Sequence, residues 1–90
     1  MKHLNITVQG KVQGVNFRHY AREKALALGV TGFVENKSVG TVYIEAEGSS
    51  AQLEEFVTWC GKGPSRAEVR NVERTDGEVK NYSSFEIRRF

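Results

Sequence analysis

Hydrophobic and polar residues alternate from the start of the chain. Leu4, Ile6 and Val8 are separated by Asn5, Thr7 and Gln9. This period of two, with β-branched content, predicts a half-buried strand running to about Val12. Gly10 interrupts it, as a bulge or a close backbone approach would. The period then lengthens. Phe17, Ala21, Ala25 and Leu28 fall on one face of a helix predicted over Phe17 to Leu28. Gly29 is placed as its left-handed C′ residue, and Asn16 is a candidate N-cap. Leu26 lies off the apolar face.

A second strand is predicted from Gly32 to Asn36, with Phe33 and Val34 as its apolar content, and a hairpin loop through Gly40 follows. In the third strand, Val42, Ile44 and Ala46 point one way. Thr41, Tyr43, Glu45 and Glu47 point the other, so one face is expected buried and one wet. Ser49 with Gln52 has capping-box spacing. The helix it opens carries the stripe Leu53, Phe56, Val57 and Cys60, with Trp59 at its edge. Gly61 and Gly63-Pro64 are expected to stop it. Ala67 to Val72 alternates less tidily as a fourth strand. Thr75-Asp76-Gly77 reads as a turn and Glu78 to Ser83 as a polar loop. Phe85 and Ile87 face inward in a short closing strand.

The order is β-α-β-β-α-β with an extra terminal strand. It predicts an α/β (α+β) sandwich of the ferredoxin-like, split βαβ kind, an antiparallel sheet with two helices on one face. Ninety residues make one domain, 1–90. A net charge of +2 tolerates an anionic ligand but falls short of a nucleic-acid footprint. Lone Cys60 excludes an internal disulfide and a multi-cysteine metal site, and it fits a reducing cytoplasm. Its place on the apolar stripe reads as a small core residue. There is no signal-peptide pattern and no apolar run long enough to span a bilayer. His3, at the frayed start of the chain, reads as a solvated edge residue.

Candidate chemistry begins at Gly10-Lys11-Val12-Gln13-Gly14-Val15-Asn16-Phe17-Arg18. A glycine-containing turn between a strand and a helix can gather backbone N–H groups around an anion. The arginine adds a planar fork matched to phosphate oxygens. No Gly-Lys-Ser/Thr follows, so this is not the nucleotide P-loop. An ordinary glycine-rich turn stays open on spacing alone. Asn36 is the second candidate. It reads as a turn residue, or as a neutral amide holding a water, because in the split βαβ order its strand end can come near the start of the first helix.

The stretch Gly10 to Arg18 closely resembles the first signature of the acylphosphatase family. Gly32-Phe33-Val34-Glu35-Asn36, continuing through Gly40-Thr41-Val42 to Glu47-Gly48, resembles the second. Gly63-Pro64-Ser65-Arg66-Ala67-Glu68-Val69 and Phe85-Glu86-Ile87 are also similar to that family. The resemblance implies hydrolysis of the carboxyl–phosphate bond of acyl phosphates without metal or cofactor. It assigns the phosphate-binding loop to Gln13, Gly14, Val15, Asn16 and Phe17, phosphate binding to Arg18, and orientation of the attacking water to Asn36. The chain departs from many members at Glu35, where a basic or neutral residue is common, and at Ala21, near where some members have a hydroxyl. Alternation aims Glu35 away from Asn36.

The resemblance further implies a cytoplasmic enzyme, expected as a monomer, with a small acyl phosphate as substrate and inorganic phosphate as product and inhibitor. Neither nucleic acid nor membrane is an expected partner. An RNA-binding module shares the βαββαβ order but needs exposed aromatics on its central strands, and here only Tyr43 is offered. A small-ligand regulatory domain without turnover is the other alternative.

Overall fold

The two periodicities resolve into seven elements in a computed structural model, which describes residues 1–89. They are β1 (Lys2–Lys11), α1 (Phe17–Leu28), β2 (Thr31–Asn36), β3 (Thr41–Gly48), α2 (Ser50–Lys62), β4 (Glu68–Gly77) and β5 (Phe85–Arg88). The strands form one sheet in the order β4-β1-β3-β2-β5. The first four pair antiparallel, but β5 runs parallel to β2, so the sheet is mixed where an antiparallel one was expected. Parallel pairing follows from the path of the chain. β4 and β5 sit on opposite edges, and the segment between them must cross the sheet.

Alternation places Ile6, Val8, Val34, Val42 and Ile44 on one sheet face, all fully buried. They pack against Phe17, Ala21 and Ala25 of α1 and Leu53, Phe56 and Cys60 of α2. Trp59 closes the helical layer, 5.3 Å from the Phe17 ring centroid. Burial pushes the Cys60 thiol well above its ordinary pKa, so it stays protonated and apolar in character. Both sides of the Ser49–Gln52 capping box are present. Gly29 ends α1 in the left-handed conformation, and the Val30 N–H donates to the Ala25 carbonyl at 2.8 Å.

Three expectations fail for physical reasons. Gly61 does not stop α2, because the helix tolerates it and ends one residue later, where Gly63 turns. Thr75-Asp76-Gly77 is not a turn. β1 begins at Lys2, and β4 follows it antiparallel to the His3–Gly77 pair, so ladder hydrogen bonds override local turn preference.

The third correction is the largest. The face expected to be wet is covered at one end. Glu47 is fully buried, and His3 and Glu45 are nearly so. Residues 78–84 strap this face. The Lys80 and Tyr82 backbone N–H groups donate to Glu47 at 2.6 and 3.1 Å, and the Tyr82 hydroxyl donates to Glu45 at 2.7 Å. His3 Nδ1 lies 2.6 Å from Glu47. Burial alone would raise the Glu47 carboxyl, but the bonds from Lys80, His3 and Tyr82 outweigh it and hold the group below the ordinary carboxylate range. Burial, then the hydrogen bond to Glu45, pushes Tyr43 up to about 12. The strap delivers β5 to the far edge beside β2, and the end of β5 lies against the first turn of α1.

Candidate active site

The loop 12–16 leaves the sheet through the bulge at Gln9/Gly10. Gly10 adopts φ 138°, and a Cβ there would sit 2.1 Å from the Glu68 carbonyl oxygen. Only glycine allows this close passage, and the ladder with β4 continues past the bulge to the Lys11–Glu68 pair. Gly14 (φ 74°) and Asn16 (φ 61°) are left-handed, while Gln13 and Val15 are not. Alternating handedness turns successive N–H groups toward one side, the backbone arrangement of an anion nest. Among the described residues, no backbone N–H from Gln13 to Arg18 donates to another part of the chain. The same segment opens α1, whose N-terminal dipole adds partial positive charge.

Asn16 occupies the N-cap position, but its side chain makes no capping bond. The left-handed backbone replaces the extended geometry that side-chain capping needs. The residue lines a cavity of about 110 Å³. Gln13, Gly14, Phe17, Arg18 and Asn36 line the same cavity. Val15 does not, since its side chain is buried in the core. The arginine and the asparagine named from the sequence, 18 residues apart, are thus brought to one space.

Two tethers hold the loop against the β2–β3 hairpin. Gln13 Nε2 donates to the Ser38 and Thr41 carbonyl oxygens at 2.7 and 2.8 Å. The Gly10 N–H donates to the Gly40 carbonyl at 3.0 Å. The Gln13 side chain therefore serves the hairpin, while its backbone N–H stays with the loop. Asn36 ends β2 on the same face as core residue Val34. Its Oδ1 is buried and has no partner within the described chain. Glu35 faces the other way, paired with Lys37 at 3.0 Å on the far face, as alternation predicts. It lies outside the cavity, so its charge does not oppose an anion there by contact.

Arg18 is half-buried, and its Nη1 reaches the Arg88 carbonyl at 3.4 Å, a weak bond that leaves most of its donors uncommitted among the described residues. Two wall residues escaped the sequence reading. His19 follows Arg18 on α1, where successive side chains are turned by about 100°, yet both line the cavity. Arg89 arrives from the end of β5. The signal for Arg89 was the Arg88-Arg89 pair closing a strand, but only the parallel β2–β5 pairing brings that end to the loop.

A cavity well below the roughly 300–1,000 Å³ of drug-sized ligand sites, lined by amide and cationic donors, takes a small anion. Among the described residues, no group of three or more histidine, cysteine or acidic side chains is placed to hold a metal ion. The architecture and site define a small α/β-sandwich enzyme acting on a phosphorylated or otherwise anionic group. The acylphosphatase family model matches residues 4–87, and the chain belongs to that family. It is 45% identical over 84 residues to an acylphosphatase of Archaeoglobus fulgidus, covering 93% of this chain and 94% of that protein. The structure of an acylphosphatase from Bacillus subtilis superposes with a TM-score of 0.95 at 31% identity, covering 99% of this chain and 100% of that one. An acylphosphatase structure from Coxiella burnetii gives 0.93 at 40% identity, covering 97% and 92%. The five-stranded sheet and two helices are the ferredoxin-like fold of these structures. No helix among the described residues is long and apolar enough to cross a membrane.

Proposed function

We propose that, as this enzyme hydrolyses the carboxyl–phosphate bond of acyl phosphates, the loop Gln13–Phe17 and Arg18 hold the phosphoryl group and Asn36 orients the attacking water. One observation carries the reading. Among the described residues, a run of uncommitted backbone N–H donors at a helix N-terminus shares one small cavity with Arg18 and with Asn36, whose carboxamide oxygen is buried without a partner. A buried unpaired acceptor costs roughly 1–3 kcal/mol. A water bound between that carboxamide and the phosphoryl group removes the cost.

The substrate is a mixed anhydride and is already activated. The protein therefore supplies position and charge rather than covalent chemistry. The N–H groups and the guanidinium neutralise the phosphoryl oxygens in a cavity that costs no reorganisation at the moment of reaction. Asn36 is neutral at every pH, so it aligns the water opposite the carboxylate leaving group without titrating. The phosphorus–oxygen bond to the acyl group breaks as the bond to water forms. The water's proton passes to a phosphoryl oxygen of the substrate, and the carboxylate leaves with the electron pair. Inorganic phosphate uses the same donors and competes with substrate.

The test is release of phosphate from benzoyl phosphate by the purified protein with a chelator present. Saturable release, inhibited competitively by inorganic phosphate, is expected. Release no faster than the spontaneous rate would overturn the reading in favour of a phosphate-binding module.

A further inference from the structure

Two arginines line the phosphate-sized cavity, and the function proposed above uses only Arg18. The register of the sheet sets the second, Arg89, beside Asn36. The parallel pairing of β2 with β5 runs from Gly32↔Phe85 to Glu35↔Arg88, so Asn36 and Arg89 are the next residues on the two strands. Alternation separates Arg89 from its neighbour. Phe85 and Ile87 pack on the core side of the sheet, while the Arg88 guanidinium lies 3.6 Å from the centroid of Phe33, on the face that Tyr82 covers. Arg88 is thus engaged on the far face, and Arg89 follows Ile87 to the side of the cavity. Among the described residues Arg89 makes no ion pair, and no acidic residue lines the cavity. Two like charges carried to one wall without a carboxylate repel each other until an anion sits between them.

We propose that Arg89 is a second phosphoryl-binding residue, its guanidinium closing on the phosphoryl group from the Asn36 side while Arg18 and the loop N–H groups hold it from the helix side. The inference rests on the phosphate-site reading above and deepens it. The phosphoryl group is a dianion, and Arg18 supplies one full positive charge. Arg89 supplies the second. The water oriented by Asn36 stands opposite the leaving carboxylate, so a cation on the Asn36 side meets phosphoryl oxygens and not the acyl chain. Bound substrate and bound inorganic phosphate present the same oxygens. Arg89 therefore strengthens the binding of both and alters the chemical step little. Because Arg89 is exposed, its effect is moderate and screened by salt.

The test compares the native enzyme with Arg89→Gln and Arg89→Lys at low ionic strength. Arg89→Gln is expected to raise the KM for benzoyl phosphate and the inhibition constant for inorganic phosphate by about 5–10-fold. Its kcat should stay within about threefold of native. Arg89→Lys keeps the charge and recovers most of the loss, and in about 0.5 M salt the variants converge on the native enzyme. Sulfate and methanesulfonate, tetrahedral anions of charge two and one, read the second cation directly. Arg89→Gln loses inhibition by sulfate more than inhibition by methanesulfonate, whereas a disturbed cavity would weaken both alike. Native constants in Arg89→Gln, equal losses in Arg89→Gln and Arg89→Lys, or equal weakening of the two anions overturns the role of Arg89 and leaves Arg18 and the loop standing. A native protein that neither hydrolyses benzoyl phosphate nor binds inorganic phosphate overturns the phosphate-site reading with it.

Discussion

The Gln13 carboxamide donates to the Thr41 carbonyl oxygen at 2.8 Å and so ties the loop that opens α1 to the hairpin whose first strand ends in Asn36. The proposed phosphate cradle and water-orienting amide come from different elements, and this side chain fixes their spacing. Gln13→Leu removes the tether. The Ser38 and Thr41 carbonyls keep their bonds from the Thr41 and Lys37 N–H groups, so the fold loses only about 1–2 kcal/mol. Turnover is expected to fall ~10–100-fold, the scale of roughly 1 Å misplacement in an active site. Thermal melting and steady-state kinetics separate the two effects, and an unchanged kcat would show that the hairpin needs no tether.

Arg18 bears on binding as well as turnover. Its contact within the described chain is one 3.4 Å bond, so Arg18→Gln should leave the fold intact. The phosphoryl group then loses its charged clamp. We expect kcat/KM for benzoyl phosphate to drop by about 10²–10³ and phosphate inhibition to weaken in step. Near-native saturation kinetics would remove Arg18 from the site.

His19 is the one titratable base on the described cavity wall. A general base contributes roughly 10²–10⁴ in rate. If a phosphoryl oxygen takes the proton, His19→Gln loses less than ~10-fold, well short of that range. A loss within that range, with the imidazole limb gone from the pH profile, would make His19 the base.

Much of this was legible because short-range patterns carried it. The periods of two and 3.6 placed β1, α1, β3 and α2, since each buries one face against the same core. Gly10 signalled a real bulge, and the alternation of Val34, Glu35 and Asn36 correctly separated the carboxylate from the amide. The far face was not legible. Glu45 and Glu47 looked solvated because polar alternation cannot reveal a strap arriving from residues 78–84. His3 was misread for the same reason, as its partner lies 44 positions away. Asn16 resembled a cap by residue type, but its left-handed backbone leaves the side chain without a capping bond. Arg89 depended on a parallel strand pairing that no local pattern encodes.

The buried Glu47 gives a prediction about stability. Its carboxyl is held below the ordinary range in the folded protein, so folding is favoured where the unfolded carboxyl is ionised. That contribution is fully present above the ordinary range of about 4–5 and is lost as pH falls through the folded value beneath it. Glu47→Ala also strands His3 and two strap N–H groups. A loss of about 3–5 kcal/mol is expected, since each buried group left without its hydrogen-bond partner costs roughly 1–3 kcal/mol. Urea unfolding across pH checks both statements. A variant as stable as the native protein, with the same pH dependence, would show that the strap holds without Glu47.

Asn36→Ala tests the division of labour between cradle and water most directly. The variant keeps the loop, Arg18 and the Gln13 tether, so the inhibition constant for inorganic phosphate should stay within about threefold, while kcat for benzoyl phosphate falls by ~10² or more. A well-folded Asn36→Ala protein that turns over normally, or that no longer binds phosphate, would contradict the account.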